Sequence, residues 1–430
     1  MIGARTFTRG GLSRSGWRSY AASGELGNGV MTASVAFNGP VASVGVFSDL
    51  GSRSETPQTN GVLKVVMTAK VAEASAKIAA LGGAVTGEVS RDGTKYVASV
   101  LAADAAAAAE ILAGCVSGAP EAGAFAAAQE ACLAEVGAHD MVEEVHACAY
   151  LDAAYGMPVG GTAASVGALT HADAEAAVTV PTTFKVAGAG ACDFGAFGKL
   201  PGGAEGLVPY EATAAHFTGS DKKTSYDGMA LAEIALCYEF PTLDSDLGAA
   251  AMLLPHVLGA SSPGGTSLKE AYNAHGMLER DLAEQGAAAM VAPFYRPYAD
   301  TALFGVHLKC PDVRVEDAIW YTTNNLVRLC FEVTEGELAR AKLAYKASLA
   351  AAVATPAGAV DVLGSTMKLF GAPLSPAELL AQVTAVSLDD VKKVAYDHVH
   401  DCDHALAAVG PLHELPDYNY VRTSSYNHHF

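Results

Sequence analysis

Two stretches of this chain carry the same order of structural signals, which points to a duplicated unit. In "AKIAALGGAVTGEVSRDGTKYVASVLAADAAAAAEIL" a helix end is followed by glycine, a strand, a turn, a second strand and another helix. "ERDLAEQGAAAMVAPFYRPYADTALFGVHLKCPDVRVEDAIW" repeats that order. Gly83 stands thirteen positions before Tyr96, and Gly286 twelve before Tyr298. In both, period-two alternation gives way to helical spacing after a short acidic or prolyl turn. Each half opens on a strand-like run ("VASVGVFSD", "MALAEIALCYEF") and closes on an apolar one ("FKVAGAGA", "ALAAVGP"). Strands followed by paired helices predict an α+β fold of two homologous halves, each a mostly antiparallel sheet packed with helices. The halves are expected at 24–205 and 214–430, joined by a linker at 206–213 inside the Gly- and Pro-rich "GKLPGGAEGLVPYEAT".

A length of 430 residues, 51% of them hydrophobic and 17% charged, is enough for two sizeable cores and argues against disorder. Alanine supplies much of the apolar content, favouring helices that pack closely. A formal charge of −19 argues against nucleic acid and against an anionic membrane surface, both of which need a basic footprint. The long uncharged run Leu247 to Leu268 is broken by Pro255, His256 and Pro263, so no membrane span is read and any membrane association is indirect. Eight cysteines stand singly with no C-x-x-C, as small core residues of a reducing compartment would.

The first 22 residues differ from the rest. Arg5, Arg9, Arg14 and Arg18 precede the first acid, Glu25, in a Ser- and Gly-rich context. That is the composition of a mitochondrial transit peptide, either removed or retained. "RSY-AAS" at Arg18 to Ser23 is similar to a matrix-processing site.

"NGVMTASVAFNGPVASVGVFSDLGSRSETPQTNGV" resembles the opening of mitochondrial processing peptidase subunits and of the related core subunits of respiratory complex III. So do "LGGAVTGEVSRDGTKY", "VHACAYLDAAYGMPVGG", "FTGSDKKTSYDGMALAEIAL", "YRPYADTALFGVHL", "VTEGELARAKLAYKASL" and "AAVGPLHELPDYNYVRTS". The matches run in order from Asn28 to Arg422 and imply the two-half fold of that family. Its active members carry H-x-x-E-H on a helix after the "GSRxET" segment. Histidines at i and i+4 bind zinc from one helical face, and the glutamate activates the metal-bound water. A later glutamate completes the coordination. On this chain the resemblance puts the first histidine at Lys64, the glutamate at Met67, the second histidine at Thr68 and the later glutamate at Gln129. A cationic lysine has no lone pair to give, methionine takes up no proton, and threonine and glutamine are poor zinc donors. A shift of one position would bring Glu130 in, but one carboxylate does not hold zinc. The resemblance therefore implies an inactive metallopeptidase homologue with no catalytic residues, no metal and no cofactor.

Other candidates are weaker. "HDMVEEVH", His139 to His146, has the wrong spacing for the helical zinc motif and reads as an exposed amphipathic helix. "YDHVHDCDHAL" places His398, His400, Cys402 and His404 at every second position, but reads as a helix end and turn ahead of a strand. "SSPGGTSL", Ser261 to Leu268, lacks the spacing of a phosphate loop and is shorter than the presequence-holding glycine loop of the family's alpha subunits. Tyr298, the family's second-half tyrosine in Y-x-D-T-x-L-F-G, is read as structural, and Arg296 as a residue able to meet a carboxylate.

The resemblance implies a non-catalytic first-type core subunit of the mitochondrial cytochrome bc complex, peripheral on the matrix side of the inner membrane. Its implied partners are a second core subunit, cytochrome b, cytochrome c1 and the iron-sulfur protein, in a dimeric complex. The alternative is a non-catalytic presequence-binding subunit of the matrix processing peptidase.

Overall fold

The structure is a computed structural model that describes residues 22–137, 140–151, 154–180, 182–200, 215–259 and 276–426. The transit-peptide segment up to residue 21, the 206–213 linker, the "SSPGGTSL" loop and the terminal "NHHF" lie outside the described residues.

The first sheet holds β1 (Ala22–Glu25), β2 (Met31–Val35), β3 (Val41–Ser48), β4 (Ala84–Val89), β5 (Thr94–Leu101) and β6 (Phe184–Ala189), in the order β1-β2-β6-β3-β5-β4. The second holds β7 (Asp221–Ser225), β8 (Ala232–Phe240), β9 (Met290–Pro297), β10 (Ala302–Cys310) and β11 (Ala405–Gly410), in the order β7-β11-β8-β10-β9. Without β1 the two orders are the same permutation. Each sheet also has one parallel pair, β2 with β6 and β7 with β11, among antiparallel neighbours. The duplicated signals of the sequence are therefore a duplicated topology.

The first half contributes α1 (Val62–Ala80), α2 (Ala105–Val116), α3 (Ala122–Glu135), α4 (Met141–Tyr150), α5 (Ala163–Ala168) and α6 (His171–Val178). The second contributes α7 (Gly248–Leu258), α8 (Met277–Gln285), α9 (Val315–Phe331), α10 (Glu335–Ala352), α11 (Pro356–Phe370), α12 (Pro376–Ala385), α13 (Leu388–Val399) and α14 (Tyr418–Ser424). Their starts are written locally. Thr334 with Glu337, Ser375 with Glu378 and Ser387 with Asp390 form capping boxes that satisfy the first free amides of α10, α12 and α13.

Both faces of the central strands are covered, which is why they read as nearly continuous apolar runs. In β3, Ala42, Val44 and Val46 join the core under α1 and α2, while Phe47 points to the opposite face. In β8, Ile234, Leu236 and Tyr238 join the second half's own helical core, while Ala235 and Cys237 face the other way. What covers those opposite faces is exchanged between the halves. α11 of the second half packs on the first sheet through Val360, Leu363 and Met367, and α4 of the first half packs on the second sheet through Met141, Val145 and Cys148.

This corrects the reading of "HDMVEEVH" as an exposed helix. The helix forms, as α4, but His146 is only 1% exposed because α4 lies against β8 and β11 of the other half. His139 lies outside the described residues. In the other histidine cluster, α13 ends at Val399 and the chain turns before β11, so His398, His400, Cys402 and His404 share no strand face. His400 stacks on Tyr396 and His404 on Tyr418.

Candidate functional site

Lys64, Met67 and Thr68 lie on one stretch of α1, and the helix opposite is α3. The start of α1 is fixed from outside it. The carboxylate of Glu55, in the loop before the helix, accepts from the amides of Gly61 and Leu63, each at 2.8 Å, and from Asn60 Nδ2 at 3.1 Å. Burial pushes the Glu55 pKa up to about 7 against those three bonds. The glutamate of the "GSRxET" segment thus acts as a distant cap for the helix.

Each of the four positions is engaged in packing or pairing. Lys64 Nζ lies 3.7 Å from Glu135 of α3, a partly exposed pair. Met67 is 4% exposed and its thioether lies against Gly87 of β4, where a Cβ would come within 2.5 Å of the sulfur. Thr68 Oγ1 accepts from the Cys132 thiol at 3.6 Å. Gln129 Nε2 donates to the carbonyls of Val166 at 2.7 Å and Leu169 at 3.0 Å, tying α3 to the end of α5. Glu130 is exposed on α3. Zinc does not fit this set. It offers an ammonium, a buried thioether, a hydroxyl and an amide whose nitrogen points at carbonyl oxygens. Among the described residues no group of three or more His, Cys, Asp or Glu converges on a point.

The polar chemistry of the molecule is concentrated where the halves meet. Arg53, in the turn Ser52–Ser54, reaches Asp92 at 3.1 Å, Asp300 of the second half at 3.3 Å, and the Tyr155 hydroxyl. Tyr155 in turn donates to Asp92 at 2.8 Å or Asp300 at 2.6 Å, and the amide of Ala299 donates to Asp92 at 2.8 Å. Burial pulls the Arg53 pKa down, but Tyr155 and the two carboxylates outweigh it and hold it above its ordinary value. Desolvation of Asp300 is likewise outweighed by Tyr155, the Ala215 amide and Arg53, so its carboxyl stays below the usual range.

A second group adjoins it. Arg91 grips Glu143 of α4 through two bonds of 2.8 and 2.9 Å, and donates to the Tyr155 carbonyl at 2.8 Å. His146 Nδ1 faces the Val142 carbonyl, which only accepts, so that nitrogen carries the proton. Nε2 therefore accepts from the Tyr298 hydroxyl at 2.6 Å. Burial, then the charges of Arg91 and Arg296, drive the His146 pKa well below the usual imidazole range, so it stays neutral. Burial also lifts the Tyr298 phenol above its ordinary pKa, so the hydroxyl keeps its proton to donate to His146.

A cavity of about 520 Å³ opens beside these groups, lined by Arg91, Glu143, His146, Arg296, Tyr298 and Lys368 among others. The sequence pointed to Tyr298 and Arg296. It gave no sign of Arg53, Asp92, Tyr155 and Asp300 as one network, because no local spacing links residues so far apart in the chain.

Residues 164–345 match the Peptidase M16 inactive domain. The beta subunit of mitochondrial-processing peptidase from Blastocladiella emersonii is 32% identical over 414 residues, covering 89% of this chain and 87% of that protein. Human cytochrome b-c1 complex subunit 1 is 25% identical over 433 residues, covering 93% of this chain and 88% of that protein. Among solved structures, a chain of complex III2 from Candida albicans with Inz-5 bound superposes with a TM-score of 0.84 at 21% identity, over 94% of this chain and 100% of that one.

Proposed function

The chain belongs to the M16 peptidase family, alongside the mitochondrial-processing peptidase beta subunits, and from that membership we propose that it is a non-catalytic core subunit of the mitochondrial cytochrome bc complex. One observation carries the reading. The helix face that would hold a catalytic metal presents Lys64, Met67 and Thr68, and Gln129 is committed to two backbone carbonyls. A peptidase shell with those four residues keeps its fold and has no donor set for the metal. Relatives named as cytochrome b-c1 complex subunit 1 and the likeness to a chain of complex III support a place in that assembly.

In this reading the two halves, divided at 206–213, form a shell on the matrix side of the inner membrane. It pairs with a second core subunit and touches the membrane only through neighbours such as cytochrome b, cytochrome c1 and the iron-sulfur protein. The relatives named as processing-peptidase beta subunits favour a second reading, a presequence-binding subunit that leaves cleavage to a partner. The acidic net charge suits Arg-rich presequences equally well.

Extraction of mitochondria with mild detergent and native separation tests this. The expected result is co-migration of the chain with haem absorbance and ubiquinol–cytochrome c reductase activity. A soluble heterodimer that cleaves presequences, or stoichiometric zinc on the isolated chain, overturns it.

A further inference from the structure

The cavity between the halves holds charges that are unevenly spoken for. Its acids are all engaged. Glu88 pairs with Lys95 at 2.9 Å, Glu143 with Arg91 at 2.8 Å, Asp92 with Arg53 at 3.1 Å, and Asp140 caps α4 through the Val142 amide at 2.9 Å. Two of its cations are not. Arg296 and Lys368 line it, and neither has a hydrogen bond or ion pair among the described residues.

Lys368 is the more informative. It sits in the last turn of α11, where the chain turns across the first sheet, and its ammonium lies over Gly93 in the β4–β5 turn. A Cβ at Gly93 would meet the Ser48 carbonyl at 2.3 Å and the lysine nitrogen at 2.7 Å, which places the ammonium directly against this turn. Burial lowers the pKa of this lysine, with Asp92 and Asp49 acting upward and Lys185 and Arg53 downward. Asp49 is itself bound to Lys185 at 2.6 Å, so neither facing carboxylate is free. Lys368 is half-buried, and an ammonium that is partly desolvated beside a cavity with no protein partner gains from a counter-ion. Lys368 also lines a second, smaller cavity of about 160 Å³, which shares Glu88, Ser90 and Ser365 with the first. Lys368 and the exposed hydroxyl of Ser365 thus stand at the junction of two spaces, with the guanidinium of Arg296 on the wall of the larger.

The geometry points to a binding site for a small polyvalent oxyanion, carboxylate or phosphate, in this cleft, with Lys368 as its counter-charge and Ser365 and Arg296 as flanking donors. The main cavity is of the size that holds small organic ligands. The site is independent of the bc-complex reading and of the α1 helix.

Isothermal titration of the full chain with citrate in one arm and pyrophosphate in the other tests it, the stronger arm giving the ligand's class. Saturable binding of at least one anion is expected. Lys368→Met should weaken it about tenfold or more, as loss of a charge-assisted contact does. Arg296→Gln, at an exposed position, should weaken it by a smaller factor, and the surface control Lys346→Gln should leave it unchanged. In anion-free buffer Lys368→Met should also melt higher than the wild type, whereas a purely structural lysine would make it melt lower. If Lys368→Met does not fold, the Arg296→Gln arm stands alone. No saturable binding of either anion, or unaltered affinity in both variants, overturns the site.

Discussion

α4 and α11 occupy matching places in the two halves, and each leaves its own half to cover the sheet of the other. They make these contacts with different chemistry. α11 presents Ala359, Val360, Leu363 and Met367 to Val35, Phe47, Val97 and Ala187, with no ionisable group among them. α4 presents Met141, Val145 and Cys148 as well, but adds His146 to Tyr298, Tyr150 to Thr301 and Glu144 to Lys222 of β7. The α11 seam is held by shape and apolar area, with one ion pair at its exposed edge, Asp361 to Lys95 of β5 at 3.4 Å. The α4 seam is held by apolar area plus buried directional bonds. The dry seam sets how closely the halves pack, and the polar seam sets their register, since a hydrogen bond tolerates less sliding than a methyl contact.

Removing the centre of the dry seam should have the largest effect. The Phe47 ring lies directly on Gly364 of α11, so close that a Cβ there would collide with it. Phe47→Ala should cost about 4 kcal/mol in urea denaturation, from lost transfer energy and the cavity left behind. Gly364→Ala should also destabilise, by overpacking. The double variant should cost less than the two singles summed, because the small side chain fills part of the hole. Additive losses would mean that α11 does not meet the sheet at this point.

Next is the polar network that joins the two halves directly. Arg53→Met removes the cation shared by Asp92 and Asp300 and leaves buried Asp92 with only neutral donors. Breaking a buried pair from one side should cost about 3 kcal/mol. An indifferent Arg53→Met variant would show that the Tyr155 and Ala299 bonds suffice and that the register is set elsewhere.

The sequence disclosed one side of this contrast better than the other. The strands were legible because glycine turns and period-two alternation are local, and the capping boxes because they span four residues. Lys64, Met67 and Thr68 were legible as one site because the i, i+3, i+4 relation is built into a helix. The exchange of α4 and α11 was not. Glu143 and Glu144 look like a solvated face, yet Glu143 is neutralised by Arg91, 52 residues earlier. Likewise Gln129 could be placed on α3 by counting, but its bonds to Val166 and Leu169 depend on where α5 comes to rest.

Acid should separate the two seams. The His146 pKa is depressed in the fold, so the native state holds it neutral while the unfolded chain takes up a proton below about pH 6.5. The unfolded state then binds more protons, and stability falls as pH falls, by at most about 1.4 kcal/mol per pH unit until the folded histidine protonates. Arg91 and Arg296 face the ring and oppose its protonation, and Tyr298 donates to it. Urea midpoints of wild type and His146→Phe, measured from pH 7.5 down to 5, should diverge below about 6.5, with the variant less acid-sensitive. His256, His398 and His404 are depressed in both proteins and cancel in the difference. Parallel curves would mean that His146 titrates alike in both states, and the polar seam would lose its pH dependence.

The finest test asks how redundant the polar seam is. Tyr150 is 1% exposed, and its hydroxyl meets Thr301 Oγ1 at 3.3 Å. Thr301 also donates to Glu239 at 3.0 Å, so removing the phenol oxygen leaves no buried group without a partner. Tyr150→Phe should therefore cost only about 0.5 kcal/mol, the low end for a single hydrogen bond. Thr301→Val is the informative counterpart. It strands the Tyr150 hydroxyl in an apolar setting and takes a donor from Glu239, so about 2 kcal/mol is expected. If the two variants cost the same, the Tyr150 hydroxyl is satisfied without Thr301, and α4 is aligned on the second sheet by its other bonds there, among them His146 to Tyr298, Glu144 to Lys222 and the Cys148 carbonyl to Ser220.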